Sequence, residues 1–227
     1  MMHPVLTAIT DASFTPLGWF EATPEHGVEG FVVLVGNAGS AMYERFAAER
    51  DPSRDLMDDW CRDELTPLAE NLGAKAVFPF DKPPLPFLRW AQAAKAGFPS
   101  RLGMNIHPEY GLWHAFRAAL IFPDVLDLPA PGRAEHPCES CIDQPCLSTC
   151  PVSAFTADSA GTNYDVDGCA SHLLSGNDAT CNEDGCLARI ACPVGADYKY
   201  VSAHMQFHLS AFVRARAKDM TGTSRNV

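Results

Sequence analysis

The sequence predicts an α+β protein laid out in three stretches, and three observations carry that reading. Short apolar runs alternate with helical segments and Pro-rich connectors through residues 1–132. Residues 133–195 are rich in Cys, Gly, Pro, Ser and Asp, show little apolar periodicity, and hold every cysteine except Cys61. Residues 196–227 carry a single helical face followed by a polar tail.

The elements follow in order. Residues 31–35, Phe-Val-Val-Leu-Val, form a short β-branched apolar run bounded by glycines, the pattern of a buried strand. Residues 36–40 turn the chain and leave Ser40 to cap a helix over 41–50, which Asp51-Pro52 stops. A second helix spans 54–72 and ends at Gly73, with Pro67 inside it as a source of bending. Residues 74–78 read as a strand, 81–86 as a Pro-rich turn, and 88–96 as a helix ending at Gly97. Residues 113–122 fit the strand period and the helix period equally. Val201, Met205, His208 and Phe212 recur on one helical face, which predicts a docked C-terminal helix.

Charge narrows the partners. The chain of 227 residues has 17 basic and 28 acidic side chains, a net charge of −11. A protein that tracks phosphates concentrates Lys and Arg on one face. Here the only compact basic stretch is Arg214, Arg216 and Lys218, so nucleic acid is not an expected partner. No apolar run reaches the length of a membrane span, and the N-terminus lacks the basic and apolar regions of an export signal. A cytoplasmic location is expected.

The cysteines carry the chemistry. The first set reads Cys138-Glu-Ser-Cys141-Ile-Asp-Gln-Pro-Cys146-Leu-Ser-Thr-Cys150-Pro; the second comprises Cys169, Cys181, Cys186 and Cys192, the last also followed by Pro. In a cytosolic chain such clustering points to metal ligation rather than disulfides. In two-cluster ferredoxins the cysteine before proline serves the other cluster. That crossing assigns Cys138, Cys141, Cys146 and Cys192 to one [4Fe–4S] site, and Cys150, Cys169, Cys181 and Cys186 to a second. Structural zinc is the alternative, since it also takes four thiolates. The spacing is looser than the bacterial C-x2-C-x2-C-x3-C-P run, with four residues between Cys141 and Cys146 and four between Cys181 and Cys186. Cys61, beside Trp60, reads as a buried free thiol.

Two family resemblances complete the reading. The stretch Ile106-His-Pro-Glu-Tyr-Gly-Leu-Trp113, followed by Arg117-Ala-Ala-Leu-Ile-Phe-Pro123, resembles the cobalamin-processing proteins of the type C methylmalonic aciduria group. Residues 14–20 and the run 31–35 leading into 41–45 are similar to that group as well. Ala94-Lys-Ala-Gly97 and the cysteine pattern, with Gly168-Cys169-Ala-Ser-His-Leu between its halves, resemble epoxyqueuosine reductases and reductive dehalogenases.

The resemblance implies a nitroreductase-like, cobalamin-binding domain over 1–132, a two-cluster ferredoxin-like module over 133–195, and a C-terminal helix and tail over 196–227. It implies electrons passing from an external donor of flavodoxin or ferredoxin type through the clusters to a corrinoid. Asp81 resembles a proton-donating carboxylate, a role that needs a raised pKa; its plain alternative is a solvated turn residue. His107 and Tyr110 are implied to face the corrinoid as acid, hydrogen-bond donor or cobalt neighbour, or else to be packed core residues. Trp113, His114 and Arg117 are implied to line the same pocket, with core packing the stronger reading. The chain departs from each family: the type C group lacks the cysteine module, epoxyqueuosine reductases carry additional C-terminal structure and act on tRNA, and reductive dehalogenases are usually longer and exported with a twin-arginine signal. A ferredoxin-like electron-transfer protein without a corrinoid, its N-terminal domain docking a partner, is the second reading, and a flavin in the first domain a third.

Overall fold

The computed structural model describes residues 2–54, 56–130, 134–158, 161–176 and 179–220. An antiparallel sheet organises the first half. Its strands are β1 (Thr15–Glu21), β2 (Phe31–Ala38), β3 (Lys75–Val77) and, farther on, β6 (His114–Phe122), in the order β1-β2-β6-β3. Residues 114–122 are thus a strand: the run fits two periods, and pairing along β2 from Phe31↔Phe122 to Ala38↔His114 decides between them.

Phe31 to Asn37 are all buried, because β2 is covered on both faces. On one face Val33 and Val35 meet α1 (Pro4–Asp11), α2 (Ala41–Glu49) and α3 (Met57–Asn71) through Ile9, Phe46, Trp60 and Leu65. On the other, Val32 and Leu34 meet Leu17, Phe20 and Trp90, the last from α4 (Phe87–Ala93). Two successive residues on a strand point to opposite faces, so an unbroken apolar run requires two covers. Helix α1 and strand β1 have no counterpart in the sequence reading; Pro16 and Gly18 break the alternation of β1 at a register shift.

A short pair, β4 (Phe98–Pro99) and β5 (Asn105–Ile106), leads from α4 toward β6. The cysteine-rich segment then folds as α5 (Pro145–Ser148), the hairpin β7 (Phe155–Asp158) and β8 (Gly161–Tyr164), α6 (Val166–Ser175), α7 (Ala179–Asp184) and α8 (Leu187–Ile190). Its small core of Ala154, Phe155 and Ala188 packs on Leu102, Ile106 and Leu112, with six of the cysteines at the margin: Cys138, Cys146, Cys150, Cys169, Cys186 and Cys192. Helix α9 (Ser202–Met220) follows. Met205, His208 and Phe212 line a cavity beneath it, while Val201 precedes the helix and is exposed. Among the described residues no helix is long and apolar enough to cross a membrane.

Candidate functional site

An open cleft of about 440 Å³ lies where β1, the end of α4 and residues 107–110 converge; Leu17, Trp19, Lys95, His107, Glu109 and Tyr110 form part of its wall. Gly18 makes the convergence possible, because a Cβ there would stand 2.8 Å from Ala96 Cβ. Lys95 sits just past the end of α4 in the left-handed region, with φ 52°. The Ala96 N–H there bonds back to Ala91 O at 2.8 Å, closing the helix with a residue where glycine is usual.

His107 lines the cleft with both ring nitrogens already engaged. Nδ1 accepts from the N–H groups of Glu109, at 3.0 Å, and Tyr110, at 3.2 Å. Nε2 therefore carries the hydrogen and donates to Leu17 O at 3.1 Å. Burial lowers its pKa below the ordinary value, against the Leu17 carbonyl and Glu109. His107 thus holds the loop shut onto β1, and neither nitrogen is free to ligate a metal or to donate to a bound molecule. Tyr110 stacks on His107 with centroids 4.4 Å apart. Burial, then Glu109 and Tyr198, push its phenol up to about 12, so it stays protonated as a donor.

The loop is fastened to the chain that follows Cys192. A Cβ on Gly111, at φ 57°, would lie 1.9 Å from Val194 O; one on Gly195 would lie 2.3 Å from the Tyr110 carbonyl carbon. Tyr198 donates its hydroxyl hydrogen to Glu109 Oε1 at 2.9 Å and meets Tyr110 edge-on at 4.8 Å. Arg189 Nε reaches Leu112 O at 3.2 Å, and its guanidinium lies over Trp113 at 4.4 Å.

The cysteines gather in two groups. Burial, then Cys192, Cys138 and Cys141, raise the Cys146 thiol, so those four are neighbours. Cys186 is raised by burial and by Cys169 and Cys150, and these three share the wall of a cavity of about 40 Å³ with Cys181. Among the described residues no three His, Cys, Asp or Glu side chains converge tightly enough to chelate a single ion. Cys61 is fully buried, and burial pushes its thiol up to about 11, which keeps it out of thiolate chemistry.

The remaining implied residues lie elsewhere. Asp81 Oδ1 accepts from Arg62 at 2.6 Å and Oδ2 from the Phe78 N–H at 2.8 Å, closing the turn after β3. Burial raises its pKa, but Arg62 and the Phe78 N–H outweigh that and hold the carboxyl below its ordinary value. A proton donor needs the opposite shift, so the turn role is the one Asp81 fills. Trp113 packs against Tyr200 at 5.4 Å, away from the cleft. Buried Arg117 donates from Nε to Asn37 Oδ1 at 3.2 Å, on the side of the sheet facing α9. His114 donates from Nδ1 to Gly111 O at 3.0 Å, and burial brings its pKa down to about 3. Sequence reasoning passed over Trp19, Lys95 and Glu109. All three stand inside stretches that carry the resemblances, Glu109 in His-Pro-Glu-Tyr-Gly, Lys95 in Ala94-Lys-Ala-Gly97 and Trp19 in 14–20, yet they meet only through the packing of β1 on α4.

These features define a mixed α and β protein in which an open cleft shares its wall with the segment that bears a cysteine quartet. No protein-family model matches the sequence, and no curated protein matches it. Solved structures similar to it include epoxyqueuosine reductase from Streptococcus thermophilus, with TM-score 0.47 and 17% identity over 86% of this chain and 66% of that one. A second epoxyqueuosine reductase gives TM-score 0.48 and 15% identity over 88% and 68%. The C. elegans B12-trafficking protein CblC, a human MMACHC homologue, gives TM-score 0.49 and 14% identity over 90% of each chain. The chain therefore spans just under two thirds of the streptococcal reductase it resembles.

Proposed function

We propose that this chain is an iron–sulfur oxidoreductase that passes electrons from an external flavodoxin- or ferredoxin-type donor to a corrinoid in the cleft, for cobalamin-dependent reduction or for processing of the corrinoid itself. Residues 1–132 carry the cleft, 133–195 the clusters, and 196–227 the closing helix and tail. Cys138, Cys141, Cys146 and Cys192 hold one [4Fe–4S] cluster; Cys150, Cys169, Cys181 and Cys186 hold the other. The donor set suits them in kind, with the thiols brought into two neighbourhoods that would have to close further to hold a cluster. Bound clusters supply single electrons, and a corrinoid supplies a cobalt centre that accepts them.

One observation carries the reading: the loop that walls the cleft is seated on Val194 and Gly195, two and three residues after Cys192, with no room for a Cβ between them. Within the cleft, Trp19 and Tyr110 would give a bound corrinoid flat apolar walls, and Lys95 and Glu109 would offer charge to its polar substituents. His107 is a positioning residue that fixes the loop.

The test is an anaerobic titration of the reconstituted protein with cobalamin, followed by absorbance and electron paramagnetic resonance. About eight iron and eight sulfide per chain, four for each cluster, with stoichiometric binding and a changed cobalt axial-ligand signal, supports the proposal. Zinc without sulfide overturns it. Intact cluster signals without cobalamin binding leave an electron carrier and retire the corrinoid.

A further inference from the structure

Helix α9 covers a cavity that neither the cleft nor the cysteine quartets account for. About 180 Å³ in volume, it is walled by Met104, Phe155, Leu173 and Phe212, with Arg189 and His208 beside them. Cys169 and Cys186 reach it too, but the four cysteines of their group share a different cavity, the one of about 40 Å³. In a chain with 28 acidic side chains, no Asp or Glu among the described residues lines this one.

Next to that wall the chain buries positive charge without an acid to balance it. Arg117 is buried and donates from Nε to Asn37 Oδ1 at 3.2 Å, while its Nη2 has no hydrogen-bond partner. Asn37 in turn donates to the Tyr200 hydroxyl at 2.8 Å, and the Arg189 guanidinium lies over the Tyr200 ring, 4.6 Å from its centroid. Arg189 spends Nε and Nη2 on Leu112 O, at 3.2 and 2.5 Å. Among the described residues neither guanidinium forms a salt bridge. A desolvated cation costs free energy until an anion or a full set of acceptors meets it.

His204 and His208 extend the same cluster. The Ser40 hydroxyl accepts from the Val201 N–H at 2.9 Å, and its own hydrogen goes to His204 Nδ1 at 3.2 Å. His204 Nε2 then donates to His208 Nε2 at 3.1 Å, which leaves the His208 hydrogen on Nδ1. The pair stands i and i+4 on α9, a spacing that suits a metal, but the two guanidiniums beside it repel a cation. Burial, then His208, Arg117 and Arg189, bring His204 down to about 2; burial, then the same two guanidiniums, bring His208 down to about 3. His208 thus lines the cavity as a neutral donor beside a permanent cation.

An apolar cavity of about 150 Å³ holds one benzene ring. A multiply charged oxyanion loses more hydration than two donors return, whereas a single carboxylate on an apolar body satisfies both the wall and Arg189. We propose that the cavity between α6, α8 and α9 binds a small aromatic monocarboxylate, with Arg189 and His208 on its carboxylate and Phe155, Leu173 and Phe212 around its ring. The inference rests on neither the clusters nor the corrinoid.

The test is a fluorine NMR titration of the full-length protein with 4-fluorobenzoate, on protein isolated anaerobically and again after reconstitution with iron and sulfide. Saturable binding is expected in both, with 4-fluorobenzyl alcohol, nearly equal in shape but uncharged, at least about tenfold weaker. Inorganic phosphate at equal concentration is expected not to displace the benzoate. Arg189→Gln is expected to weaken binding by about tenfold or more, and Arg189→Lys to recover part of it. Met104→Trp, which fills the cavity and leaves Arg189 in place, is expected to abolish binding, and decides the matter if the Arg189 variants fold poorly. Equal affinity for the alcohol reduces the site to an apolar hole and overturns the proposal. So does binding that survives Met104→Trp, because the ligand then sits elsewhere. Absence of saturation, displacement by phosphate, or loss of binding once iron and sulfide are in place overturns it as well; the last gives the cavity to the second cysteine group.

Discussion

Strand β2 is interior throughout, whereas the cysteine-rich segment is mostly half-buried or exposed. Every residue from Phe31 to Asn37 is buried between two helical layers, and Phe46, Trp60, Leu65 and Trp90 fill the space on either side. Between Cys138 and Cys192 the buried apolar side chains are few and small apart from Phe155 and Leu173. Burial stabilises in proportion to apolar area, about 25 cal/mol per Å², so the sheet region is self-sufficient. The cysteine segment lacks that area, and on the proposed function it depends on the clusters its thiols would bind. A metal bound only by the folded state contributes its binding free energy to folding. On the proposed function the molecule joins a self-supporting half to a cofactor-dependent one, and the join is the wall of the cleft.

The sharpest way to break that comparison is Cys192→Ser. It is expected to halve iron and sulfide and to loosen 138–192 in hydrogen exchange, while amides of β2 and β6 keep their protection. Equal loss of protection in the sheet would show the halves to be one cooperative unit.

Next in size is Gly111→Ala, which tests the join. Its Cβ meets Val194 O at 1.9 Å in a left-handed backbone position. A cost of about 2 kcal/mol or more is expected, a fall in Tm of roughly 4–8 °C, with cobalamin affinity reduced at least tenfold. Unchanged stability would mean that the two segments separate freely.

Acid tests the self-sufficient half. His204 is fully buried between the rings of Tyr43, at 4.4 Å, and Tyr200, at 3.8 Å; its Nδ1 meets Ser40 Oγ and its Nε2 meets His208 Nε2 at 3.1 Å. Burial brings their pKa values down to about 2 and 3, with Arg117 and Arg189 adding to the effect. Both are neutral when folded, whereas the unfolded chain protonates near 6.5. Their contribution is therefore complete above pH 6.5 and is lost progressively as pH falls below it, by up to about 1.4 kcal/mol per pH unit for each. Urea midpoints at pH 7.5, 6.0 and 5.0 should decline, and His204→Asn with His208→Asn should flatten the decline. His107 and His114 are lowered in the same way and leave a residual slope.

The smallest effect belongs to Asp81→Asn. Its pair with Arg62 is partly exposed, so about 0.5 kcal/mol is expected, with cobalamin binding and any turnover intact. A loss of turnover at full stability would return Asp81 to the mechanism.

Much of this molecule is legible in its sequence. The run Phe-Val-Val-Leu-Val, the helix stopped at Asp51-Pro52 and the helix containing Pro67 all rest on local rules of period and capping. Residues that differ by one position in period, or that act through a partner distant in the chain, were not legible. The run 113–122 has no preference of its own and becomes a strand because β2 needs a neighbour. His107 carries the look of a ligand in its motif, yet Leu17, 90 residues away, takes its second nitrogen. Asp81 carries the look of an acid, yet Arg62 holds it ionised across the turn. Glu109, Lys95 and Trp19 form one wall only because Gly18 lets α4 approach β1. Periodicity and residue type decide what a segment is, because they act over a few bonds. Which side chains share a cleft, and which protons they keep, is decided by packing, because burial and hydrogen-bond partners come from residues far apart in the chain.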